Sequence, residues 1–454
     1  MAVENGRKRL YIRTFGCQMN VHDSEQMAVL LEDAGFTRTD QVETADLVII
    51  NTCSVREKAE QKAHSYLGRL RRLKRRNPSL IIGIAGCLAQ QWGGDFLEKA
   101  PHLDFVLGTH NIHALSEVVD EIQGTGRRVV RTDFQEQVTS IGIPVPARRE
   151  QVSAYVTIMQ GCNNFCSYCI VPYVRGREQS RSDGDIMEEI RMLAEGGIRE
   201  VTLLGQNVNS YCSNGSGNPD FPELLHEVND VEGIERIRFT TSHPKDLSEE
   251  LMQCFRTVDK LCEHIHLPLQ SGSDEVLTRM NRNYSAGTYL EKVARLRDIC
   301  PDISVSTDLI VGFPGESEAD FQKTIDVMEK VRFDNAFSFA YSDRPGIASE
   351  TYGDKVEDGV KRDRLRRLQM LQECHTMERN HGLVGRVEEI LIEGVSRNSP
   401  NDITGRTRTN KIVNVPGDIE LTGTIISVRI TGAYAHSLRG EALDEREVRG
   451  CLFR

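Results

Sequence analysis

The segment GCNNFCSYC sets Cys162, Cys166 and Cys169 in a C-x3-C-x2-C arrangement, directly after an apolar, strand-like run at residues 155–159. A loop this tight can wrap three thiolates around one corner of a cubane iron–sulfur cluster, holding three irons and leaving the fourth free for a bidentate ligand. The C-x2-C half alone is shared with zinc knuckles and thioredoxin-like motifs. No second cysteine pair or histidine ladder at zinc spacing stands nearby, so the cluster reading leads and zinc is its rival.

A second set of thiols is dispersed. Cys17, Cys53 and Cys87 each close a strand-like run, KRLYIRTFGC, ADLVIINTC and SLIIGIAGC, and a fourth run, DFVLGTH, follows at residues 104–110. Helical patterns fill the gaps, from about residue 24 to 35 and from about 55 to 76. Continuous apolar runs alternating with helices predict a parallel sheet covered on both faces. Strands that point the same way end on one edge, where open α/β sheets gather their ligands, so three cysteines far apart in the chain can converge. Gly16 and Gly86 would let the backbone approach a bulky group. Three cysteines without a fourth ligand suit an iron–sulfur cluster with an open iron, or a catalytic zinc with an open position; each alone would read as a buried apolar thiol. Cys212, Cys254, Cys262, Cys300, Cys374 and Cys451 have no such spacing and read as packing or surface residues.

The elements around the compact motif repeat. Strand-like runs recur at residues 199–207, 235–244, 263–272, 303–316 and 335–342, with helical segments between. Together with residues 155–159 they make six β/α units and predict a partial barrel. Barrel enzymes carry their chemistry at the C-terminal ends of the strands. Those ends hold Gln206 and Asn207, Thr241 and Ser242, Gln270 and Ser271, and Asp308. Each alone reads as a cap or turn residue; as a ring they are candidate cofactor and substrate contacts above the cysteine loop. After the charged helical segment KRDRLRRLQMLQECHTMERNHG the texture changes. Residues 384–393 and 422–430 read as strands separated by the polar SRNSPND, and GRTRTNKIVNV supplies Arg406, Arg408 and Lys411. This part predicts a small antiparallel β-barrel.

At 454 residues and 39% hydrophobic content the chain can bury real cores, and length alone suggests roughly three domains at about 150 residues each. No stretch approaches the ~20 apolar residues of a membrane helix. The N-terminus does not read as a signal peptide, so a reducing cytoplasm is expected, where twelve cysteines point to metal or catalysis over disulfides. A net charge of −11 argues against a protein coated in nucleic acid but not against a local basic site. The sharpest such cluster is RLRRLKRR at residues 69–76, whose plain reading is a solvated helix face.

The compact cysteine loop resembles the cluster-binding motif of the radical-SAM superfamily. That resemblance implies S-adenosylmethionine (SAM) on the free iron through its amino and carboxylate groups, reductive cleavage to a 5′-deoxyadenosyl radical, and Tyr168 near the adenine. The last region resembles the TRAM domain, an RNA-binding module. The order of the parts resembles the radical-SAM methylthiotransferases, and TFGCQMNVHDSE, NTCSVREKAEQK, VPYVRGREQSR and GRTRTNKIVN look like the MiaB type, which convert N6-isopentenyladenosine at position 37 of tRNA to its 2-methylthio form. The resemblance implies two [4Fe-4S] clusters, on Cys17, Cys53 and Cys87 and on Cys162, Cys166 and Cys169. It also implies two SAM molecules, one as methyl donor and one as radical source, with sulfur drawn from the first cluster. The expected domains are an α/β domain (1–146), a partial (β/α)6 barrel (147–379) and a TRAM-like barrel with its tail (380–454). Candidate SAM and substrate contacts are Tyr168, Gln206, Asn207, Ser242, Gln270 and Asp308; candidate RNA contacts are Arg71, Arg72, Arg75, Arg406 and Lys411. A low-potential electron donor, a monomer and no membrane association complete the expectation. The alternatives are a methylthiotransferase acting on threonylcarbamoyladenosine in tRNA or on a ribosomal protein side chain, and a non-catalytic redox or zinc module that binds RNA.

Overall fold

Fully buried runs lie at residues 47–52, 81–85 and 105–107, three of the four places where the sequence puts its first strands. The computed structural model describes residues 7–54, 57–135, 151–212, 219–397 and 399–443. The strands β1 (Arg9–Phe15), β2 (Thr37–Arg38), β3 (Leu47–Thr52), β4 (Ile81–Ala85), β5 (Phe105–Leu107) and β6 (Val129–Arg131) form one sheet in the order β2-β1-β3-β4-β5-β6. Every pairing in it is parallel. The four runs read from sequence are β1, β3, β4 and β5; the two short edge strands were not foreseen. Helices cover both faces and make two separate apolar layers, one around Met27, Leu31, Phe105 and Val119, the other around Ile50, Leu67, Leu70 and Leu103. Helix α1 (Gln18–Asp33) begins immediately after Cys17, earlier than the pattern suggested, because Asn20 closes its first turn by accepting from the Cys17 backbone N–H at 3.4 Å. Helix α2 (Glu57–Arg76) carries the basic run and α3 (Cys87–Trp92) starts at Cys87 itself.

The six expected barrel strands are all present. They are β7 (Ser153–Thr157), followed after β8 (Met159–Gln160) and β9 (Gln179–Ser180) by β10 (Glu200–Leu204), β11 (Arg236–Phe239), β12 (His264–His266), β13 (Ser304–Val311) and β14 (Asn335–Ala340). They pair in parallel as β7-β10-β11 and β12-β13-β14. The two halves meet where the Cys262 N–H donates to the Ile237 carbonyl and the Ile237 N–H to the Lys260 carbonyl, so one curved, open barrel results. Four of its helices start at a serine, Ser182, Ser248, Ser285 or Ser317, whose hydroxyl accepts an N–H of the first turn. Helix Asp358–His381 lies along β14, with the Gln372 amide donating to the Phe333 carbonyl, and leads into the last unit.

That unit is a closed barrel of β15 (Val387–Val395), β16 (Asp402–Thr407), β17 (Ile412–Pro416), β18 (Ile425–Ala433) and β19 (Leu438–Ala442) in the order β15-β16-β17-β19-β18. Its pairs are antiparallel except β17–β19, which runs parallel and completes the ring. Its hairpin β16–β17 sits under the N-terminal ends of the partial-barrel strands. Arg236 and Arg238 of β11 donate to the backbone carbonyls of Arg406, Glu389, Arg408 and Thr407, and Arg408 pairs with Glu263 at 2.7 Å. The expected boundary at 146/147 falls outside the described residues, and that at 379/380 falls in the last turn of helix Asp358–His381. Among the described residues no helix is long and apolar enough to cross a membrane.

Candidate iron–sulfur centres and the barrel mouth

Cys17, Cys53 and Cys87 do converge. They lie at the carboxyl ends of β1, β3 and β4, neighbours in one parallel sheet. Cys53 hydrogen-bonds Cys17, which pulls the Cys17 thiol down to about 6 against the opposing effect of burial; the Arg175 charge and the Asn20 contact add to the pull. Cys87 is buried and its thiol is pushed up by desolvation, with the Arg175 charge in opposition. The glycines are required. A Cβ on Gly16 would meet the Asn20 Oδ1 at 2.3 Å and the Cys53 Cβ at 2.7 Å, and one on Gly86 the Asn51 Oδ1 at 2.2 Å. Beneath the thiols a buried polar network fixes α1 to β3: the Asn51 amide donates to the Asn20 carbonyl at 2.8 Å and to the Ser24 hydroxyl at 2.9 Å. Val55 and Arg56, part of the motif after Cys53, lie outside the described residues.

Cys162, Cys166 and Cys169 gather by local folding. The Cys169 N–H donates to the Cys166 carbonyl at 2.9 Å, and the thiols are close enough to raise one another: burial first, then the Cys166 thiol, push Cys169 up to about 12. The loop is held from elsewhere. Asn281 donates to the carbonyls of Asn164 and Phe165, the Ser167 N–H donates to the Met280 carbonyl, and the buried Arg282 guanidinium reaches the Cys166 Sγ at 3.5 Å and the Pro268 carbonyl at 2.9 Å. The Asn164 backbone and amide N–H groups point at the Cys162 Sγ at 3.5 and 3.4 Å. N–H donors aimed at thiol sulfur are what a cluster-bound thiolate uses. Among the described residues no three His, Cys, Asp or Glu side chains close on a single-ion position. A cubane spreads its thiolates over separate irons, so two triads with open fourth corners fit two clusters.

The mouth above this loop sorts the sequence-predicted ligand contacts. Tyr168 is half-buried and packs with Phe313, Tyr341 and Met280. Gln206 is a brace: its Oε1 accepts from the Gly161 N–H at 2.5 Å, at the start of the cysteine loop. Asn207 is 1% exposed and fully engaged, donating to Ser210 and Asp246 and accepting from the His243 N–H, so it does not face a ligand. Ser242 is buried, and its hydroxyl has no partner among the described residues, as an open ligand contact would. Thr241 and Gln270, at the ends of adjacent strands, both hold φ at 69°, a costly conformation for these side chains and one that concentrates at functional sites. Asp308 faces the lumen, 3.5 Å from the His266 Nε2.

Sequence reading missed the aromatic wall of that lumen. On β14, Ala336 and Ala340 join the outer core, which turns Phe337 and Phe339 inward. They pair in register with Asp308 and Ile310 of β13 and remain 45% and 37% exposed. Two residues on, Tyr341 reaches the Tyr168 cluster, so the wall runs to the cysteine loop. The signal was present in NAFSFAY, where aromatics alternate with small residues.

The basic residues divide. Arg71, Arg72 and Arg75 are exposed on α2, whose Glu60 pairs with Arg344 beyond β14 at 2.8 Å. Arg406 is bound to Glu393 at 2.9 Å, and Lys411 is 14% exposed in an ion pair with Asp334 at 3.0 Å. Lys411 thereby ties the small barrel to the partial barrel, whereas Arg406 pairs within the small barrel, with Glu393 and Asn410.

Comparisons with known proteins match this division. Residues 9–108 match the model of the uncharacterized protein family UPF0004, residues 156–328 the radical SAM superfamily and residues 383–443 the TRAM domain. In solved structures the chain is similar to the radical S-adenosylmethionine methyltransferase TsrM from Kitasatospora setae with tryptophan substrate and a SAM analog bound. The TM-score there is 0.58 at 15% identity, covering 76% of this chain and 75% of that one, a likeness of fold alone. Proteins named tRNA-2-methylthio-N(6)-dimethylallyladenosine synthase are far more similar. That of Syntrophus aciditrophicus is 57% identical, covering 97% of this chain and 96% of its own. That of Geotalea uraniireducens is 52% identical over 96% and 98%, and that of a Thermoanaerobacter species 46% over 98% and 95%. With identity at this level along nearly the whole length, and with both cysteine triads in place, the chain belongs to the tRNA-2-methylthio-N(6)-dimethylallyladenosine synthase family, a radical-SAM family whose cofactors are SAM and [4Fe-4S] clusters.

Proposed function

We propose that the chain methylthiolates C2 of N6-isopentenyladenosine at position 37 of tRNA. One observation carries the reading: two cysteine triads, each open at its fourth corner, sit on either side of a single short helix, Val171–Arg175, where Cys87 packs against Ile170 and Val174 just beyond Cys169. Cys162, Cys166 and Cys169 would hold the cluster that takes SAM; Cys17, Cys53 and Cys87 would hold the one that yields sulfur. When bound, these groups supply reductive cleavage and a transferable sulfur, which an aromatic C–H without leaving group or useful acidity requires.

The residues of the chain bind, orient and exclude water. Gln206 and Arg282 fix the cysteine loop, and Ser242, Gln270 and Asp308 offer polar contacts around it. The target adenine must leave its stack, at a cost of a few kcal/mol. Phe337 and Phe339 provide a stacking wall that recovers about 1–3 kcal/mol per base, with Asp308 and His266 at its edge. Arg71, Arg72 and Arg75, on the last turns of α2, hold RNA phosphates, while Lys411 helps keep the TRAM-like barrel in place. A low-potential electron donor serves the reductive step, and the enzyme works as a cytoplasmic monomer of three units divided near residues 146 and 379.

The test is an iron count on anaerobically reconstituted protein and on a Cys17→Ala, Cys53→Ala, Cys87→Ala variant, with tRNA carrying isopentenyladenosine as substrate. About eight irons in the parent, about four in the variant and product only from the parent are the expected results. About four in both removes the sulfur-donating site and with it the reading. Activity that survives nuclease treatment on a protein substrate would favour the side-chain alternative.

A further inference from the structure

The motif VPYVRGREQSR contains an arginine that the reaction as described does not use. Arg175 ends helix Val171–Arg175, six residues after Cys169, yet its side chain lies in the other domain's site. It is 3% exposed and forms a two-pronged pair with Asp23 of α1, at 3.2 and 2.5 Å, and Asp23 is 4% exposed at its side chain. Val174, the residue before Arg175, packs against Cys87, and the guanidinium charge acts on both the Cys87 and the Cys17 thiols. A buried charge of this kind is costly unless its geometry is complete, and leaving either partner alone would be more costly still.

The backbone that carries Arg175 is clamped from both sides. Toward the first domain, the Thr109 hydroxyl donates to the Val174 carbonyl at 2.6 Å, and the His110 Nε2 lies 3.0 Å from the Arg175 carbonyl. Toward the compact loop, the Cys162 N–H donates to the Gly176 carbonyl at 3.2 Å, and Gly161 lies so close to the Arg177 carbonyl that a Cβ there would approach it to 2.1 Å. Residues 174–177 are thus a rigid strut whose two faces are the two cysteine sites; Val174 packs against Cys87, and Arg175 brings a charge from the strut to the dispersed thiols.

From this geometry we propose that Arg175 is a positioning residue that locks the auxiliary cluster in register with the SAM-binding loop and, with Asp23, sets the charge balance under which that cluster works. A fixed cation beside the thiolates stabilises the more negative cluster state, and the carboxylate opposes it. The two members of the pair therefore act on the auxiliary cluster with opposite sign, although they hold one another in place. The inference rests on the two-cluster reading above.

The experiment uses reconstituted full-length enzyme as parent, Arg175→Gln, Arg175→Lys and Asp23→Asn. Iron is counted, the auxiliary cluster is titrated potentiometrically by EPR, and methylthiolated product is measured per 5′-deoxyadenosine formed. Arg175→Gln is expected to shift the auxiliary potential downward and Asp23→Asn upward. Arg175→Lys keeps the charge, so its potential should stay with the parent. The product ratio should still fall about tenfold or more in Arg175→Lys, because the two-pronged lock is lost. Unmoved potentials, or shifts of the same sign in Arg175→Gln and Asp23→Asn, overturn the proposal, since a merely structural pair would disturb the site in one direction. If Arg175→Gln does not load iron, the isosteric Asp23→Asn and the Lys variant decide it alone. A parent with only about four irons would bring down the two-cluster reading itself, and this proposal with it; eight irons with no shift brings down this proposal only.

Discussion

The two cysteine triads are assembled by opposite construction. Cys162, Cys166 and Cys169 belong to one short loop, and only its supports come from far away, from residues 279–282 and Gln206. Cys17, Cys53 and Cys87 are brought together by the sheet itself, and most of their supports belong to the same domain, Gly16, Asn20, Asn51 and Gly86, with Arg175 reaching in from the other. The surroundings differ as well. The dispersed site is polar, with a cation and a thiol already lowered to about 6, whereas the compact loop sits in packing that drives Cys169 to about 12. Thiolate must form before iron can be held, and burial opposes it at both sites, at Cys87 as at Cys169.

Substituting glycines should separate the sites most sharply. Gly16→Ala places a Cβ within 2.7 Å of Cys53, and Gly161→Ala places one within 2.1 Å of the Arg177 carbonyl. The first is expected to remove about four irons and all methylthio product while 5′-deoxyadenosine formation continues; the second should abolish 5′-deoxyadenosine and leave the dispersed site loaded. Iron analysis and product assay on both variants check this, and loss of both clusters in either would show that the sites are not independent.

That comparison also explains what was legible in sequence. All six cysteines could be found, because a thiol directly after an apolar run keeps its place whatever the details of packing. The barrel strands were legible for the same reason. β2 and β6, of two and three residues at the sheet edge, carry too few side chains to make a pattern. The strand-end polar residues divide into two kinds once the chain is folded. Sequence put Asn207 and Ser242 in the same class, and only the folded chain shows that the first is saturated and the second open. Arg236, Arg238 and Arg408 gave no warning of their role, since a charge in a strand is indistinguishable from a solvent-facing one until its partner is placed.

A smaller effect is expected at the lumen. Phe337→Ala should raise KM for a stem-loop RNA carrying isopentenyladenosine by about tenfold, in line with the loss of one stacking contact, while unproductive SAM cleavage without RNA is unchanged. Steady-state kinetics with and without RNA checks it, and an equal loss in both would reassign Phe337 to the SAM side. For RNA affinity, the triple change Arg71→Gln, Arg72→Gln, Arg75→Gln should weaken binding and lower the slope of log affinity against log salt by about one for each arginine engaged, whereas Lys411→Gln should leave the slope as it was. A salt titration of filter binding or fluorescence anisotropy distinguishes them.

The slightest of the four lies in acid. Each region holds an imidazole that burial, reinforced by nearby cations, keeps neutral: His22 on α1, lowered to about 3, and His243 beside Ser242, lowered to about 2. The folded-state values lie below the unfolded one, so the stability they confer is complete above roughly pH 6.5 and is lost as pH falls, by about 1.4 kcal/mol per group one unit lower. His22→Gln should flatten the fall in melting temperature between about pH 7.5 and about pH 5.5; an unchanged slope would exclude His22 as its source.

The small barrel is docked through arginines that bind its main chain, at the carbonyls of Glu389, Arg406, Thr407 and Arg408, and a few side-chain pairs, from Arg386, Arg408, Asn410 and Lys411, are added to these. A carbonyl is the same whichever residue bears it. Most of the surface of that barrel is therefore released from any duty to the rest of the chain, and lineages can rewrite it to suit their own RNAs while its mounting stays fixed.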